Sequence, residues 1–366
     1  MEPQPKTILI ALIAAALLIA LSSCVPTASP TPTHVQPPTP TSVPLQSRIA
    51  FLSVRPAGMD PVHRETLYTV EIHTMNLDGS NIVNVSSPLT NASAPAWSPD
   101  GKRIAFRGYY DEGQTWRIYV VNTDGSNLTR LPSGPGSPSG PVWSPDGEQV
   151  AFRAGDGIRV IRLDRPVEPE LSIVLAKGRD PSWSPEGTKI AYEAPGADGK
   201  DSVWVMNADG SGKQELARGM MPDWAPSGTK IAFVAETRPG LMGRDICSIN
   251  SDGSGLTNIT NSPAMVWMPS WSPDGSRIAY RAQDPLGTQR IYVMNLDGSN
   301  RITTASFATS SIAFPSWSPD GRQLTFAIPF GDDIRGTYAV NVDSSDLHRI
   351  IVDGIEAVWS PWLKPN

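Results

Sequence analysis

Histidine and cysteine, the usual zinc ligands, are few in this 366-residue sequence, with four and two copies. Its four histidines, His34, His63, His73 and His348, are widely separated, and no Cys/His or His-x-x-x-His spacing accompanies them. Because zinc sites need such spacings, we expect no zinc site. Residues 210–213 (Gly-Ser-Gly-Lys) lack the upstream glycine and the following Ser/Thr of a phosphate-binding loop, so we interpret them as a turn. These patterns predict neither a catalytic residue nor a cofactor.

Aspartates recur at one place in a repeated pattern, each beside a glycine, at Asp100, Asp146, Asp274 and Asp320. A ring of calcium ligands is one interpretation, but aspartates in tight turns usually hydrogen-bond to the local backbone, and we favour that role. An enzyme acting on a carbohydrate or a lactone is the alternative function, and it would need converging His, Glu or Asp side chains. The candidates are scattered: His63, Asp111, Asp284, Asp332 and Asp333.

The pattern that contains these aspartates is the repeat Trp-Ser-Pro-Asp-Gly, which recurs, with variants, every 40 to 47 residues. Its tryptophans are Trp97, Trp143, Trp183, Trp224, Trp271, Trp317 and Trp359. A short apolar run such as Ile104-Ala105-Phe106 follows most copies, and a β-rich run ending in Asn-x-Asp-Gly comes next. Asp-Gly supplies the backbone of tight hairpin turns, so each repeat reads as four antiparallel strands. A repeat of this length and type is typical of a β-propeller blade.

The two ends of the repeated region complement each other. The run Ile49-Ala50-Phe51 opens it without a preceding Trp-Ser-Pro, and Trp359 closes it as an isolated first strand. Pairing of these ends would complete a blade and remove an exposed sheet edge. We therefore predict an all-β fold, a seven-bladed β-propeller of four-stranded blades closed by pairing of the C-terminal strand with the N-terminal strands; six blades would leave one repeat unpaired.

Residues 48 to 362, with their Trp-Ser-Pro-Asp-Gly and Asn-x-Asp-Gly elements, resemble the TolB-like, WD40-like (PD40) propeller repeats. These repeats also occur in the propellers of dipeptidyl peptidase IV-like enzymes. The resemblance implies a propeller fold. A peptidase would also need a hydrolase domain besides the propeller, and we do not expect peptidase activity from the repeated region itself.

The N-terminal region has the features of an exported lipoprotein. An apolar run from Ile8 to Leu21 follows Lys6 and is shorter than the roughly 20 residues that span a bilayer. Leu21-Ser22-Ser23-Cys24 resembles a bacterial lipobox, which implies lipid attachment at Cys24 and thereby anchoring to a membrane. We assign residues 1–23 to a signal peptide, 24–46 to a lipidated cysteine with a disordered Pro/Thr-rich tether, and 47–366 to the propeller. An uncleaved membrane anchor is the alternative.

The charge of the sequence bears on its possible partners, and its two cysteines bear on disulfide formation. The net charge is −6 and the basic residues are scattered, which argues against nucleic acid. Lipidation of Cys24 would leave Cys247 unpaired, and we expect Cys247 to be a buried apolar side chain.

Apolar side chains concentrate in the segments that vary between repeats, namely the connections from the second to the third strand and from blade to blade. Variable loops on a rigid scaffold often carry function, so we predict that they bind a protein, peptide or glycan at the cell envelope. Plugging of the channel mouth is an equally good interpretation, and a structural spacer without a ligand is a third. The candidate binding residues are Tyr109, Tyr110, Trp116, Met220, Met221, Met242, Met265, Trp267, Met268, Phe307 and Phe314.

Overall fold

A computed structural model describes most of the repeated region. The described residues are 47–59, 66–89, 91–110, 115–164, 173–237, 243–262, 264–284, 286–309, 312–329, 333–352 and 354–361. The predicted signal peptide, the tether with Cys24, and Met242 lie outside them. The described residues form strands and turns and contain no helix, and therefore none that could span a membrane.

The described part of the chain contains 28 strands. They are β1 (Arg48–Met59), β2 (Thr66–Asn76), β3 (Val83–Asn84), β4 (Asn91–Trp97), β5 (Arg103–Tyr110), β6 (Thr115–Asn122), β7 (Thr129–Arg130), β8 (Pro138–Trp143), β9 (Gln149–Ala154), β10 (Gly157–Arg162), β11 (Ile173–Lys177), β12 (Arg179–Trp183), β13 (Lys189–Pro195), β14 (Asp201–Asn207), β15 (Gln214–Arg218), β16 (Met220–Trp224), β17 (Lys230–Ala235), β18 (Asp245–Asn250), β19 (Thr257–Asn258), β20 (Met265–Trp271), β21 (Arg277–Gln283), β22 (Gln289–Asn295), β23 (Ile302–Phe307), β24 (Ser316–Trp317), β25 (Gln323–Ile328), β26 (Gly336–Asn341), β27 (His348–Ile351) and β28 (Gly354–Trp359).

These strands pair antiparallel in groups of four. Five groups are separate sheets: β8 to β11, β12 to β15, β16 to β19, β20 to β23 and β24 to β27. The strands β28-β1-β2-β3 and β4-β5-β6-β7 form two further runs, which a single parallel contact between Val70 and Asn91 joins into one eight-stranded sheet. The first strand of every group ends at a motif tryptophan, and we call β4, β8, β12, β16, β20, β24 and β28 the motif strands.

The turn after each motif strand explains the repeated aspartate. In the copy at Asp146, the carboxylate accepts hydrogen bonds from the Ser144 hydroxyl and from the Glu148 backbone N–H. Gly147 has a φ of 72°, which glycine adopts without the steric cost of a side chain. Asp100, Asp274 and Asp320 accept equivalent bonds. The structure therefore agrees with the turn role predicted for these aspartates.

The apolar cores lie between neighbouring groups of strands. Among the described residues, seven clusters of buried side chains each draw on two adjacent groups. In one of them Ile49, Phe51 and Trp359 pack with residues of β27, and in another Leu52 and Ile72 pack with Phe106. Burial of these faces is the main stabilising contribution, because each sheet covers the apolar face of the next.

The last described strand lies beside the first. Antiparallel pairing joins Ile49 to Trp359 and Ala50 to Val358. The Arg48 N–H donates to the Ser360 hydroxyl at 3.0 Å, and the Ser360 N–H donates to the Arg48 carbonyl at 2.8 Å. Each motif strand also contacts the next one along the chain, and β28 contacts both β24 and β4. The pairing expected between the two ends of the repeated region is therefore present.

Several segments predicted as loops are strands. Met265 to Met268 belong to β20, and Met220 and Met221 belong to β16. Tyr109, Tyr110 and Trp116, predicted in a connection between strands, also lie in strands, since β5 continues to Tyr110 and β6 begins at Thr115. The prediction was wrong here because these segments vary in sequence between repeats although their backbone pairing continues.

Candidate functional site

All but two of the motif strands have a backbone irregularity three residues before the tryptophan, which we call the bulge position. There φ is positive at Ala94, Gly140, Asp180, Met221 and Met268, between 52° and 61°. The pairing register with the second strand also shifts at this point in these five strands. Positive φ is uncommon for residues other than glycine. Because the irregularity repeats, it belongs to the fold, and the side chain that it carries is free to vary.

The side chains at the bulge position differ from strand to strand, although proline follows in all but β28 and tryptophan always comes three residues later. In chain order they are Ala94, Gly140, Asp180, Met221, Met268, Phe314 and Glu356. Three consecutive members, Met221, Met268 and Phe314, are large and apolar, and about half of Phe314 is exposed, at 51%. We call them the apolar arc. Glu356 follows the arc on the next motif strand.

The Glu356 carboxylate has lost hydration and has few hydrogen-bond donors to replace it. It is partly buried, and a hydrogen bond from the Ala94 backbone links it to the neighbouring motif strand. Burial raises the pKa of Glu356 to about 7, because the charged form loses hydration and gains one donor. Among the described residues, no Lys, Arg or His side chain forms an ion pair with it.

Asp223 on β16 is similar. Its carboxylate accepts a long hydrogen bond, 3.4 Å, from the Trp271 N–H of the next motif strand. Burial raises the pKa of Asp223 to about 7. At neutral pH both Asp223 and Glu356 are thus close to half-ionised, a state suited to accepting a proton or a cation.

Glu193 shows a different arrangement nearby. Desolvation raises the pKa of Glu193, but the Arg179 guanidinium contacts its carboxylate and the Met221 N–H donates to it at 3.2 Å. Arg179 also pairs with Asp201 at 2.9 Å. This carboxylate already has a cationic partner, so it offers less attraction to a ligand than Glu356 or Asp223.

A cavity of about 520 Å³ lies where β4, β24 and β28 meet. Its lining consists of aromatic and apolar groups from the motif strands and their turns: Pro95, Ala96, Trp97, Pro99, Pro273, Trp317, Pro319, Val358, Trp359, Ser360 and Pro361. Two of the indole N–H groups are tied to neighbouring strands, since Trp97 donates to the Val358 carbonyl at 3.2 Å and Trp317 to the Ser270 carbonyl at 2.9 Å. The tryptophans therefore pack between groups of strands and also line one cavity.

The structure divides the candidate binding residues predicted from sequence into separate places. Met220 and Met221 lie on β16, and Met265, Trp267 and Met268 lie on β20, the motif strand that β16 contacts. The Arg281 guanidinium stacks on the Trp267 ring at 4.5 Å.

Another part of the predicted set lies on β5 and β6. Tyr109 and Trp116 pack against each other with ring centroids 5.5 Å apart, and Arg107 covers Trp116 at 3.8 Å. Tyr110 is the last residue of β5. Neither β5 nor β6 is a motif strand, so these residues are separate from the apolar arc.

Phe307 has a packing role. It ends β23, and its ring lies 5.9 Å from Phe326 and 5.3 Å from Tyr338, both in the core of the next sheet.

Cys247 is buried, and desolvation raises the pKa of its thiol to about 12, which suits the apolar role expected for it.

The residues considered for enzyme chemistry do not converge in the part of the chain that the structure describes. Asp284 is bound by Arg290 and by the turn amides of Leu286 and Thr288. His63, Asp111 and Asp332 lie outside the described residues. Within the described ranges, no group of three or more His, Cys, Asp or Glu side chains could hold a metal ion.

Sequence reasoning missed Glu356 and Asp223. A single acidic residue in a strand gives no sign of burial. The available signal was the position counted back from each motif tryptophan, three residues for Glu356 and one for Asp223, where other repeats have different residues.

Both the sequence and the fold resemble those of known proteins. The sequence profile of the TolB beta propeller domain, PD40, matches residues 63–227 and 225–363. Dipeptidyl-peptidase 5 of Porphyromonas gingivalis is 37% identical over 67 residues, which are 16% of this chain and 10% of that protein. The chain thus matches only a tenth of that curated relative.

Two solved structures illustrate the range of proteins with this fold. TolB from Acinetobacter baumannii superposes with a TM-score of 0.54 at 14% identity, covering 86% of this chain and 83% of that one. Oligogalacturonate lyase from Vibrio parahaemolyticus superposes with a TM-score of 0.57 at 14% identity, covering 82% and 85%. Likeness at this identity concerns the fold alone. The profile, however, spans most of the sequence, and the chain belongs to the TolB beta propeller (PD40) family.

Proposed function

We propose that this chain is a seven-bladed propeller, held outside the cytoplasm by a lipid on Cys24, that binds a protein, peptide or glycan at the cell envelope. The blade count is supported by the seven clusters between adjacent groups of strands and by the pairing of β28 with β1. A closed ring protects its inner edges and leaves the bulge-position side chains as the part that differs between blades.

One observation carries the binding function. Met220, Met221, Trp267 and Met268 lie on two adjacent motif strands, and Phe314 lies two residues before the third. All five are partly or well exposed. Exposed apolar side chains on neighbouring strands are more common at binding sites than on ordinary surfaces, and methionine adapts its shape to a partner.

Capture from envelope extracts tests this binding surface. We expect Trp267→Ala to lower the yield of captured partner about tenfold, as loss of a buried aromatic anchor does. Trp116→Ala is the matched control, since Trp116 is also stacked on an arginine but lies on β6, away from the apolar arc. Equal capture by the wild type and Trp267→Ala would reject the arc as the binding surface.

The anchor has its own test. Cys24→Ser removes the sulfur that would carry the lipid, and we expect the protein to leave the membrane fraction and to lose incorporation of labelled palmitate. Retention in the membrane with no label would instead indicate an uncleaved apolar segment.

The two unpaired carboxylates favour a second candidate function. A carboxyl group with a pKa near 7 can act as a general acid or base at neutral pH, and Asp223 and Glu356 both meet that condition. The structural neighbours include a carbohydrate lyase. A screen of acidic glycans and lactones checks this reading. Turnover that disappears in Glu356→Gln or Asp223→Asn would support an enzyme. Absence of turnover in the wild type would reject the enzyme and favour the binding function.

A further inference from the structure

The cavity beside β28 combines two features that recognise the same kind of ligand. Three indole rings, Trp97, Trp317 and Trp359, contribute to its lining. Aromatic faces attract cations, and groups of aromatic rings bind quaternary ammonium ions in water-exposed pockets. The cavity volume of about 520 Å³ falls in the range of small-molecule sites.

The second feature is Glu356, whose neighbours in the chain and whose hydrogen-bond partner lie next to residues that line this cavity. Glu356 lies two residues before Val358, which lines the cavity, and its carboxylate takes a hydrogen bond from Ala94, whose neighbour Pro95 also lines it. In the described ranges no basic side chain pairs with Glu356. From these contacts we infer that the Glu356 carboxylate lies beside the cavity, and among the described residues no basic side chain balances its charge.

We propose that this cavity binds a small organic cation, an ammonium group on an apolar body, held between the tryptophan rings and the Glu356 carboxylate. The inference rests on the proposed binding function and names a ligand class for it. The apolar wall accommodates the alkyl groups of the ligand, and the carboxylate supplies the charge that a neutral molecule of the same shape could not use.

Choline and its neutral isostere 3,3-dimethylbutan-1-ol test the role of charge. With the full-length chain in detergent, calorimetry at pH 8 should show choline binding and at least tenfold weaker binding of the isostere. A tenfold ratio corresponds to about 1.4 kcal/mol. Equal binding of the two probes, or binding of neither, would overturn the proposal.

Variants identify the carboxylate. Glu356→Gln keeps the shape of the side chain and should lower choline affinity about tenfold while leaving the isostere unchanged. Glu236→Gln is the control, because Glu236 is 69% exposed and lies in the connection after β17. Unfolding curves of both variants exclude loss of the fold. Full choline affinity in a folded Glu356→Gln protein would contradict the site.

The pH dependence provides an independent readout. Burial raises the pKa of Glu356 to about 7, so the carboxylate is mostly neutral at pH 6 and mostly ionised at pH 8. Choline affinity should therefore rise about tenfold between these pH values. The rise should be absent in Glu356→Gln, and a flat profile in the wild type would contradict the assignment.

A third probe, the tripeptide Gly-Lys-Gly, separates the two sources of an ammonium group. Binding of choline alone identifies a free small cation as the ligand, and binding of both identifies a site that also accepts a basic side chain of a partner. Failure here is distinguishable from failure of the proposed function, since envelope capture that depends on Trp267 needs no choline binding.

Discussion

Two carboxylates that have lost hydration, the buried Asp245 and the partly buried Glu356, have opposite surroundings. Asp245 at the start of β18 is fully buried and accepts hydrogen bonds from Thr237, from Asn258 at 3.0 Å, from the Thr260 hydroxyl at 2.8 Å and from the Ser262 N–H at 2.7 Å. Glu356 on β28 has one backbone donor. Burial acts to raise the pKa of both groups, but the donors around Asp245 outweigh it and lower the pKa there, whereas the pKa of Glu356 rises to about 7.

The difference separates a structural group from one available to a ligand. Asp245 connects β18 to the segment after β19, and its charge is already solvated by the protein. Glu356 has lost hydration without gaining equivalent donors, so a cation or a proton would stabilise it. The direction of each pKa shift follows from the number of hydrogen-bond donors around the carboxylate, since Asp245 is the more buried residue and yet has the lowered pKa.

The largest effect is expected from Asp245→Asn. Thr260 and Ser262 donate to Oδ1 of Asp245, and Thr237 and Asn258 donate to Oδ2. The amide has only one acceptor oxygen, so one of these two pairs of donors loses its acceptor, and stability should fall by about 3 kcal/mol. Urea unfolding at pH 7 measures this loss. The folded-state pKa of Asp245 is lowered, so its contribution is present above about pH 4 and fades as the pH falls further. If the loss of stability in Asp245→Asn stays the same at acidic pH, the charged carboxylate of Asp245 is not the stabilising form, and the contrast with Glu356 is wrong.

Glu356→Gln should have the opposite sign. Because the folded-state pKa of Glu356 is raised, ionisation destabilises the wild type as the pH rises from about 4.5 through 7. The variant should match the wild type near pH 4 and exceed its stability by about 2 kcal/mol at pH 8, in the absence of ligand. Thermal unfolding across this pH range checks the crossover. A variant less stable than the wild type at pH 8 would mean that Glu356 is a satisfied structural group.

The smallest effect is expected at a turn aspartate. Asp146 is exposed, and its bonds to Ser144 and Glu148 are local, so Asp146→Asn should lower stability by about 0.5 kcal/mol. Denaturant midpoints measure this shift. A loss as large as that of Asp245→Asn would show that hydrogen-bond satisfaction at the surface matters as much as in the core.

Most of the fold was predictable because the repeated motif marks the strands and turns of each blade in the sequence itself. The spacing of Trp-Ser-Pro-Asp-Gly identified the motif strands and turns, and the unpaired Ile49-Ala50-Phe51 identified the partner of the Trp359 strand. Asp-Gly determines the local turn, so these features need no knowledge of distant contacts.

The candidate site was only partly predictable. Met221, Met268 and Phe314 were identified by residue type, and Phe314 does lie in a connection, before β24. Met221 and Met268 were placed on loops although they belong to strands, because the positive φ of the bulge position falls on methionine as well as on glycine and cannot be recognised from composition. Glu356 was missed because its environment comes from Ala94, more than 250 residues away in sequence. Contacts of that separation depend on tertiary structure.

The most direct measurement is the titration of Glu356 itself, by carbon-13 NMR of the glutamate side-chain carboxyls with Glu356→Gln to assign the resonance. The account predicts a midpoint near pH 7 in the free protein, which moves to lower pH when choline is added. A midpoint near 4.5 that choline does not change would show that Glu356 is solvated like an ordinary surface carboxylate, and would contradict the proposed site.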